Sequence, residues 1–263
     1  AGRSLSPCHL PLPMVAPHPS SPSLSLSVVI PVKDERANIA PLAAEIVAAL
    51  DGRCTFEAIF VDDGSSDGTD DEIHHAIARH AGHVRGIRLA RNCGQSTAVH
   101  RGVGAARYPW VATLDGDGQN PPAEINRLLA ALQNSGSDPL LLVAGCRLQR
   151  NDDWIRRLSS RVANGVRRRM LRDDTPDTGC GLKLFARDTF LQLPYFDHMH
   201  RFLPALYQRL GGRVCCVEVN HRPRAAGRSK YGIHNRLWVG IVDLFGVAWL
   251  QRRARLSPMS DIE

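Results

Sequence analysis

Between Leu26 and Gly145 the sequence alternates short apolar runs with stretches of helical periodicity, and that alternation restricts the chain to one class of architecture. Leu26-Ser-Val-Val-Ile-Pro31 reads as a strand, and Ala37 to Leu50 then spaces its apolar residues as a helix does, after polar Asn38. The pattern repeats with strands at Phe56 to Val61, Val84 to Ala90, Trp110 to Leu114 and Leu140 to Gly145. Between them, helices are predicted from Asp67 or Thr69 to His80, over Gly94 to Tyr108, and from Pro122 onward. Strands alternating with helices of roughly 10 to 15 residues require right-handed crossovers, so the expected fold is α/β, a mostly parallel sheet flanked by helices. Ligands of such sheets lie at the carboxyl ends of the strands.

A length of 263 residues suits one domain. Residues 1–25, rich in Pro and Ser, read as a flexible leader, 26–235 as the folded domain, and 236–263 as an amphipathic helix and tail. Past residue 150 the pattern is less regular: a basic helix from Trp154 to Arg172, a turn from Asp177 to Lys183, a helix around Phe202 to Leu210, a strand from Arg213 to Val219, and a basic loop from His221 to Tyr231. Seven cysteines without a C-x-x-C pair point to reduced thiols and a reducing compartment. His74, His75, His80 and His83 lack metal-site spacing and read as a solvated helix end.

Two acidic loops carry the candidate chemistry. Asp115-Gly116-Asp117-Gly118-Gln119 sets two carboxylates and an amide oxygen on alternate residues, which suits magnesium or manganese with positions left open for phosphate oxygens; a plain Asp/Gly turn is the other reading. The EF-hand pattern fails there, since the sixth and twelfth positions are Asn120 and Asn126. Asp62 and Asp63 suit a ribose or a nucleobase, or serve to cap a helix and close a turn. Gly102-Val-Gly-Ala-Ala-Arg107 falls inside a helix and is not a phosphate loop. Arg147, Arg224 and Lys230 offer cations to a diphosphate and an anionic acceptor, with Gly227 letting their loop close.

Arg236 to Arg253 holds about fourteen mostly apolar residues, short of the roughly 20 that span a bilayer. Trp238, Phe245 and Trp249, flanked by Arg252, Arg253 and Arg255, suit either an in-plane helix on an anionic leaflet or a helix packed on the sheet. The net charge of +7 also admits a nucleic-acid-binding module, but no aromatic stacking pattern accompanies the arginines between Arg156 and Arg172.

With these residues in place, the chain resembles family 2 glycosyltransferases of the GT-A fold, a Rossmann-like architecture, and within them the dolichol-phosphate mannosyltransferase-like, polyprenyl-phosphate branch. The resemblance runs from about 26 to 235 through Val29-Ile-Pro-Val-Lys-Asp-Glu35, Val61-Asp-Asp-Gly-Ser-Ser-Asp-Gly-Thr69, Asp115 to Gln119, Gly145-Cys-Arg147, Asp177-Thr-Gly-Cys-Gly-Leu-Lys183 and Arg224-Ala-Ala-Gly-Arg-Ser-Lys230. It implies Pro31, Glu35, Val61 and Asp63 at the nucleotide, with Lys33, Asp62 and Gly116 beside them. It further implies Asp115, Asp117 and Gln119 on the metal, and Arg147, Lys183, Arg224 and Lys230 on phosphates; Asp177 sits among them as a residue that orients the acceptor or the sugar. Three positions depart from the pattern: Asp34 replaces Asn, Lys33 replaces Tyr, and Lys183 stands where Arg is more frequent, losing a bidentate donor. The implied activity is inverting transfer from a GDP- or UDP-sugar to undecaprenyl or dolichyl phosphate on the cytoplasmic face of the membrane. Transfer to a saccharide or lipid A-type hydroxyl is the alternative, and oligomeric state, sugar and base stay open.

Overall fold

The computed structural model describes residues 24–147, 165, 167–171, 173, 175–223 and 233–253. All but the last two residues of the 1–25 leader lie outside them, as does most of the basic stretch from Trp154 to Arg172. The strands are β1 (Ser25–Val32), β2 (Thr55–Asp62), β3 (Val84–Arg88), β4 (Trp110–Thr113), β5 (Leu141–Arg147), β6 (Lys183–Ala186) and β7 (Arg213–Val219). The helices are α1 (Arg36–Leu50), α2 (Thr69–Arg79), α3 (Gln95–Ala105), α4 (Ile125–Asn134), α5 (Arg187–Leu191), α6 (Leu203–Arg209) and α7 (Ile233–Arg252). Pro122, expected to open a helix, opens a 3-10 turn, Pro122–Glu124, that leads into α4.

The sheet order is β3-β2-β1-β4-β6-β5-β7. Strand β1 runs parallel to β2 and β4, β2 to β3, and β5 to β7, while β6 is antiparallel to both of its neighbours. Neither β6 nor α5 was expected: Lys183-Leu-Phe-Ala186 is too short to display a period and read as the end of a turn. Its reversal has a geometric consequence. Two antiparallel steps bring β5 and β7 back to the direction of β4, so Val32, Asp62, Thr113, Arg147 and Val219 all end on one edge of the sheet, and Lys183 begins there.

Alternation along the strands divides the core between the two faces. Leu26, Val28 and Ile30 of β1 pack with α1 and α4 through Ile39, Leu42 and Leu128. Val29 of the same strand and Ile59 and Val61 of β2 face α3, whose Gly102 lies so close that a Cβ there would overlap a methyl of Val29. Helix α7, for which packing and membrane contact were alternatives, shows an apolar residue on both sides. Val247 and Ala248 are buried and Gln251 Nε2 donates to the carbonyls of Leu171 (3.0 Å) and Ala205 (3.2 Å), whereas Val242, Phe245 and Trp249 are 66%, 62% and 58% exposed. Side chains before residue 240, Trp238 included, lie outside the described residues. No described helix is long and apolar enough to cross a membrane.

At the opposite edge of the sheet from the acidic loops, buried Glu57 accepts from Ser27 Oγ (2.8 Å), Arg85 Nη1 (2.6 Å) and the main-chain N–H of Arg107 (2.6 Å). Burial alone pushes this carboxyl up; the three hydrogen bonds and the Arg85 charge outweigh it and hold it below the usual glutamate range. A depressed pKa contributes stability that is present above the unfolded glutamate pKa of about 4.3 and lost as pH falls through the folded value. Glu57→Gln is therefore expected to lower stability by about 2 kcal/mol at pH 7, with the gap to wild type narrowing in urea titrations run below pH 4. A gap independent of pH refutes the coupling.

Candidate active site

Strand β4 delivers Asp115 to the functional edge. The turn that follows can lie against β1 because Gly116 has no side chain: a Cβ there would come within 2.5 Å of Val32 Cγ1 and 3.0 Å of the Pro31 carbonyl. Within the turn, Asp117 Oδ1 accepts the Gln119 N–H (3.1 Å). Arg222, just past β7, clamps the turn from outside. Its N–H donates to the Gln119 carbonyl (2.9 Å), its Nε to the Gly118 carbonyl (2.5 Å), and its Nη2 to both carboxylate oxygens of Glu45 on α1 (3.1 and 2.9 Å).

Asp115 keeps partial solvent contact, yet dense surrounding protein desolvates its carboxyl and raises it, and the charge of Asp117 raises it further. Lys183, a hydrogen bond from Gln95 Nε2 (2.9 Å) and Arg147 oppose the shift. A hard dication relieves the repulsion that Asp117 exerts on the Asp115 carboxylate, and the alternate spacing of the two leaves coordination positions open. Among the described residues no three His, Cys, Asp or Glu side chains converge as a closed metal cage.

The end of β1 and the loop after β2 form the adjoining wall. Asp34 has φ 47°, the left-handed region that Asp and Asn tolerate better than other side chains, which accounts for Asp at a position where Asn is usual. Its N–H donates to Ser65 Oγ (2.8 Å) and its Oδ1 accepts the Ser66 N–H (2.8 Å). Lys33 Nζ donates to the Gly64 carbonyl (2.5 Å), and Glu35 Oε2 accepts from Asn38 Nδ2 (2.6 Å) beside an open groove that Asp34 and Glu35 line. Both oxygens of Asp63 accept main-chain N–H groups, those of Cys93 (2.6 Å) and Gly94 (2.8 Å), immediately before α3. Asp62 accepts the Ser65 N–H (2.9 Å) and faces Arg88 Nε at 3.5 Å. These two carboxylates thus build the loops, the capping alternative in a longer-range form. Val61 corrects the expectation: its side chain is sealed beneath α3 and does not line the cleft.

The cationic wall differs from its prediction in two ways. Arg147 forms a two-pronged pair with Asp177, Nε to Oδ2 at 2.6 Å and Nη2 to Oδ1 at 2.9 Å, and the hydrogen bond to Asp177 raises its already high pKa. Lys183 is 4% exposed, and its ammonium donates to the carbonyls of Cys180 and Thr178 beneath the 177–183 turn; burial lowers its pKa. Lys183 therefore braces the turn from below instead of presenting a surface donor. Arg167, one of the arginines of the basic helix, is 8% exposed, donates to the Thr175 carbonyl (2.5 Å) and to Thr178, and faces Asp173 at 3.6 Å, so it is absent from any nucleic-acid-binding face. Arg224, Gly227 and Lys230 lie outside the described residues.

Two cleft residues, and one behind them, were missed. Gln95 reaches Asp115, and buried Ser96 Oγ meets His200 Nδ1 at 2.7 Å across 104 residues of sequence. Gln95 and His200, with Pro31, Asp115 and Lys183, surround a small cleft at the sheet edge. Ordinary helix and loop positions carry them, so periodicity held no signal for them. The histidines read as a solvated helix end also divide: His83 stacks on Phe56, ring centroids 4.6 Å apart, while His74 is exposed.

A mostly parallel sheet with one reversed strand, and an acidic loop at its carboxyl edge beside β1, is the arrangement of the GT-A glycosyltransferase fold. The chain belongs to glycosyl transferase family 2, whose sequence model matches residues 27–193. It is 34% identical over 234 residues to the dodecaprenyl-phosphate galacturonate synthase of Rhizobium johnstonii, covering 88% of this chain and 68% of the relative. It is 36% identical over 209 residues to the undecaprenyl-phosphate 4-deoxy-4-formamido-L-arabinose transferase of Aeromonas hydrophila subsp. hydrophila, covering 79% of this chain. The chain spans 63% of that relative's length. In fold it is similar to glucosyl-3-phosphoglycerate synthase from Mycobacterium tuberculosis, crystallised with Mn2+, UDP and glucosyl-3-phosphoglycerate, at TM-score 0.64 and 18% identity, covering 89% of this chain and 81% of that one.

Proposed function

We propose that this chain transfers a sugar from a UDP- or GDP-linked donor to a polyprenyl phosphate, with inversion at the anomeric carbon, in cell-envelope glycan or glycolipid synthesis. The observation that carries this reading is the convergence of Asp115 and Asp117 with the ends of β1 and β5 on one sheet edge, in a chain whose curated relatives are named for polyprenyl-phosphate sugars. The nucleotide lies along Pro31, Lys33, Glu35 and the Asp62-Asp63 loop, and the diphosphate beside the acidic turn. The acceptor phosphate oxygen attacks C1 from the far face; the C1–O bond to the diphosphate breaks and its electron pair leaves with the nucleoside diphosphate. An ionised phosphate needs no general base. A hydroxyl acceptor does need one, and Asp177, a candidate for that role, is held by both prongs of Arg147.

Asp115, Asp117 and Gln119 are the residues to hold magnesium or manganese, which when bound offsets the negative charge gathering on the departing diphosphate. Arg147, Arg224 and Lys230 contribute fixed positive charge to the same oxygens. The Val242, Phe245 and Trp249 stripe, with Arg252 and Arg253 at its end, rests on the anionic cytoplasmic leaflet and brings the cleft to its lipid.

Phosphatidylglycerol vesicles containing undecaprenyl phosphate test acceptor and membrane together. With manganese and UDP-glucose, UDP-galacturonate or GDP-mannose, the expected result is lipid-dependent release of nucleoside diphosphate and cosedimentation of the protein with vesicles. No release from any donor, or equal transfer to soluble saccharides without lipid, overturns the reading.

A further inference from the structure

His200 is not among the residues that the family resemblance assigned. It lies in the 3-10 turn Met199–Arg201, between α5 and α6, and that turn packs against the first residues of α3. Ser96 is 1% exposed, and its hydroxyl oxygen receives the main-chain N–H of His200 (3.4 Å) while lying 2.7 Å from His200 Nδ1. With one lone pair of the oxygen taken up by the main chain, the arrangement suits the hydroxyl proton on the ring nitrogen. In that tautomer Nδ1 is the acceptor and the ring's single proton sits on Nε2. Among the described residues Nε2 has no protein hydrogen-bond partner, and the ring lines the cleft shared with Pro31, Gln95, Asp115 and Lys183.

Burial holds the imidazole well below the usual histidine range, and the nearby charges of Lys183 and Arg201 act in the same direction. At neutral pH the ring is uncharged and offers one N–H donor beside a space bounded by the end of β1 and by Asp115. If the nucleoside lies on the β1 side and the diphosphate at the acidic turn, as the proposed function has it, the group that comes next in the donor is the glycosyl ring. Gln95 holds Asp115 from the neighbouring residue of the same helix turn, so the first turn of α3 sets both the carboxylate and the imidazole.

We infer that His200 is a sugar-binding residue, its Nε2–H donating to a hydroxyl oxygen of the transferred glycosyl group, with Ser96 as the positioning residue that fixes the tautomer. A neutral donor reads a hydroxyl without adding charge to a cleft that already holds Lys183 and Arg147 against Asp115 and Asp117. This inference rests on the proposed function, and its test separates the two.

The donor most active with wild type among UDP-glucose, UDP-galacturonate and GDP-mannose is assayed with His200→Ala, His200→Gln and Ser96→Ala, beside binding of the bare nucleoside diphosphate. His200→Ala is expected to lower kcat/KM for the nucleotide-sugar by about tenfold while leaving affinity for the nucleoside diphosphate within about twofold of wild type. His200→Gln, whose amide nitrogen reaches the place of Nε2, recovers part of the loss, and Ser96→Ala loses about threefold. Removing the matching hydroxyl from the sugar costs wild type about the same factor and costs His200→Ala nothing further. Equal losses for the nucleotide-sugar and the bare diphosphate, or a glutamine variant no better than alanine, overturn the role of His200 while the transferase stands. A wild type inactive with every donor overturns both.

Discussion

Asp117→Ala is expected to reduce turnover by at least about a hundredfold while the protein stays folded, because stabilising charge on a departing diphosphate is worth several kcal/mol and the lost group lies in a partly exposed turn. The turn keeps its shape without that carboxylate. Arg222 still holds the carbonyls of Gly118 and Gln119, and Gly116 still lies against Val32. A chelator added to wild type is expected to reach the same low rate, and excess manganese to restore wild type but not the variant. Turnover by Asp117→Ala near the wild-type rate removes the metal from the proposed reaction.

Gly181→Ala is expected to be nearly as damaging, although residue 181 carries no functional group. A Cβ at that position would overlap the Asp115 carboxylate on all three of its outer atoms, so either the carboxylate or the 177–183 turn must move. The turn is tied down: Thr113 Oγ1 donates to the Gly181 carbonyl (2.7 Å), Lys183 braces it from below, and Arg147 grips Asp177 at its start. The carboxylate gives way and leaves Gln95. Turnover is expected to fall by about a hundredfold, with a change in Tm of only a few degrees, since the displaced group is polar and faces the cleft. Thermal melts alongside rates decide the matter: a collapse of Tm assigns the loss to folding, and an unchanged rate shows that Asp115 has room the structure denies it. Gly181→Ser, bulkier still, is expected to be no better than alanine.

Both predictions concern a residue visible in the sequence and one that was not. Asp115 and Asp117 stood out because two carboxylates and an amide oxygen on alternate residues suit a dication, and the ordered motifs around them decided against a plain turn. Gly181 was quoted inside a motif without a reason, since what makes it indispensable is an atom 66 positions away in the chain. Asp62 and Asp63 show the reverse case. Their position at a strand end was legible, but whether their oxygens face ligand or backbone was decided by the loop before α3, where Cys93 and Gly94 turn their N–H groups toward Asp63.

Strand β6 shows where pattern reading stops. Four residues cannot reveal a period, and all four are buried, on both faces of the sheet, so no alternation of polar and apolar residues marks it. Yet its reversed direction brings Lys183 to the catalytic edge and aligns the carboxyl end of β5 with that of β4.

Sequence by itself determined the alternation of strands and helices, the edge on which the acidic turns fall, and the family. The first two follow from local repeats, since a period of two or of 3.6 residues is written within one element, and the family follows from motifs in a fixed order. Only the tertiary structure decided which charges meet: Arg147 turns to Asp177, Lys183 goes under a loop, Arg222 grips the acidic turn, and His200 comes to Ser96. Pairings between distant elements depend on how layers pack and on which oxygens the backbone leaves unsatisfied, and neither is encoded in the spacing of residues along the chain.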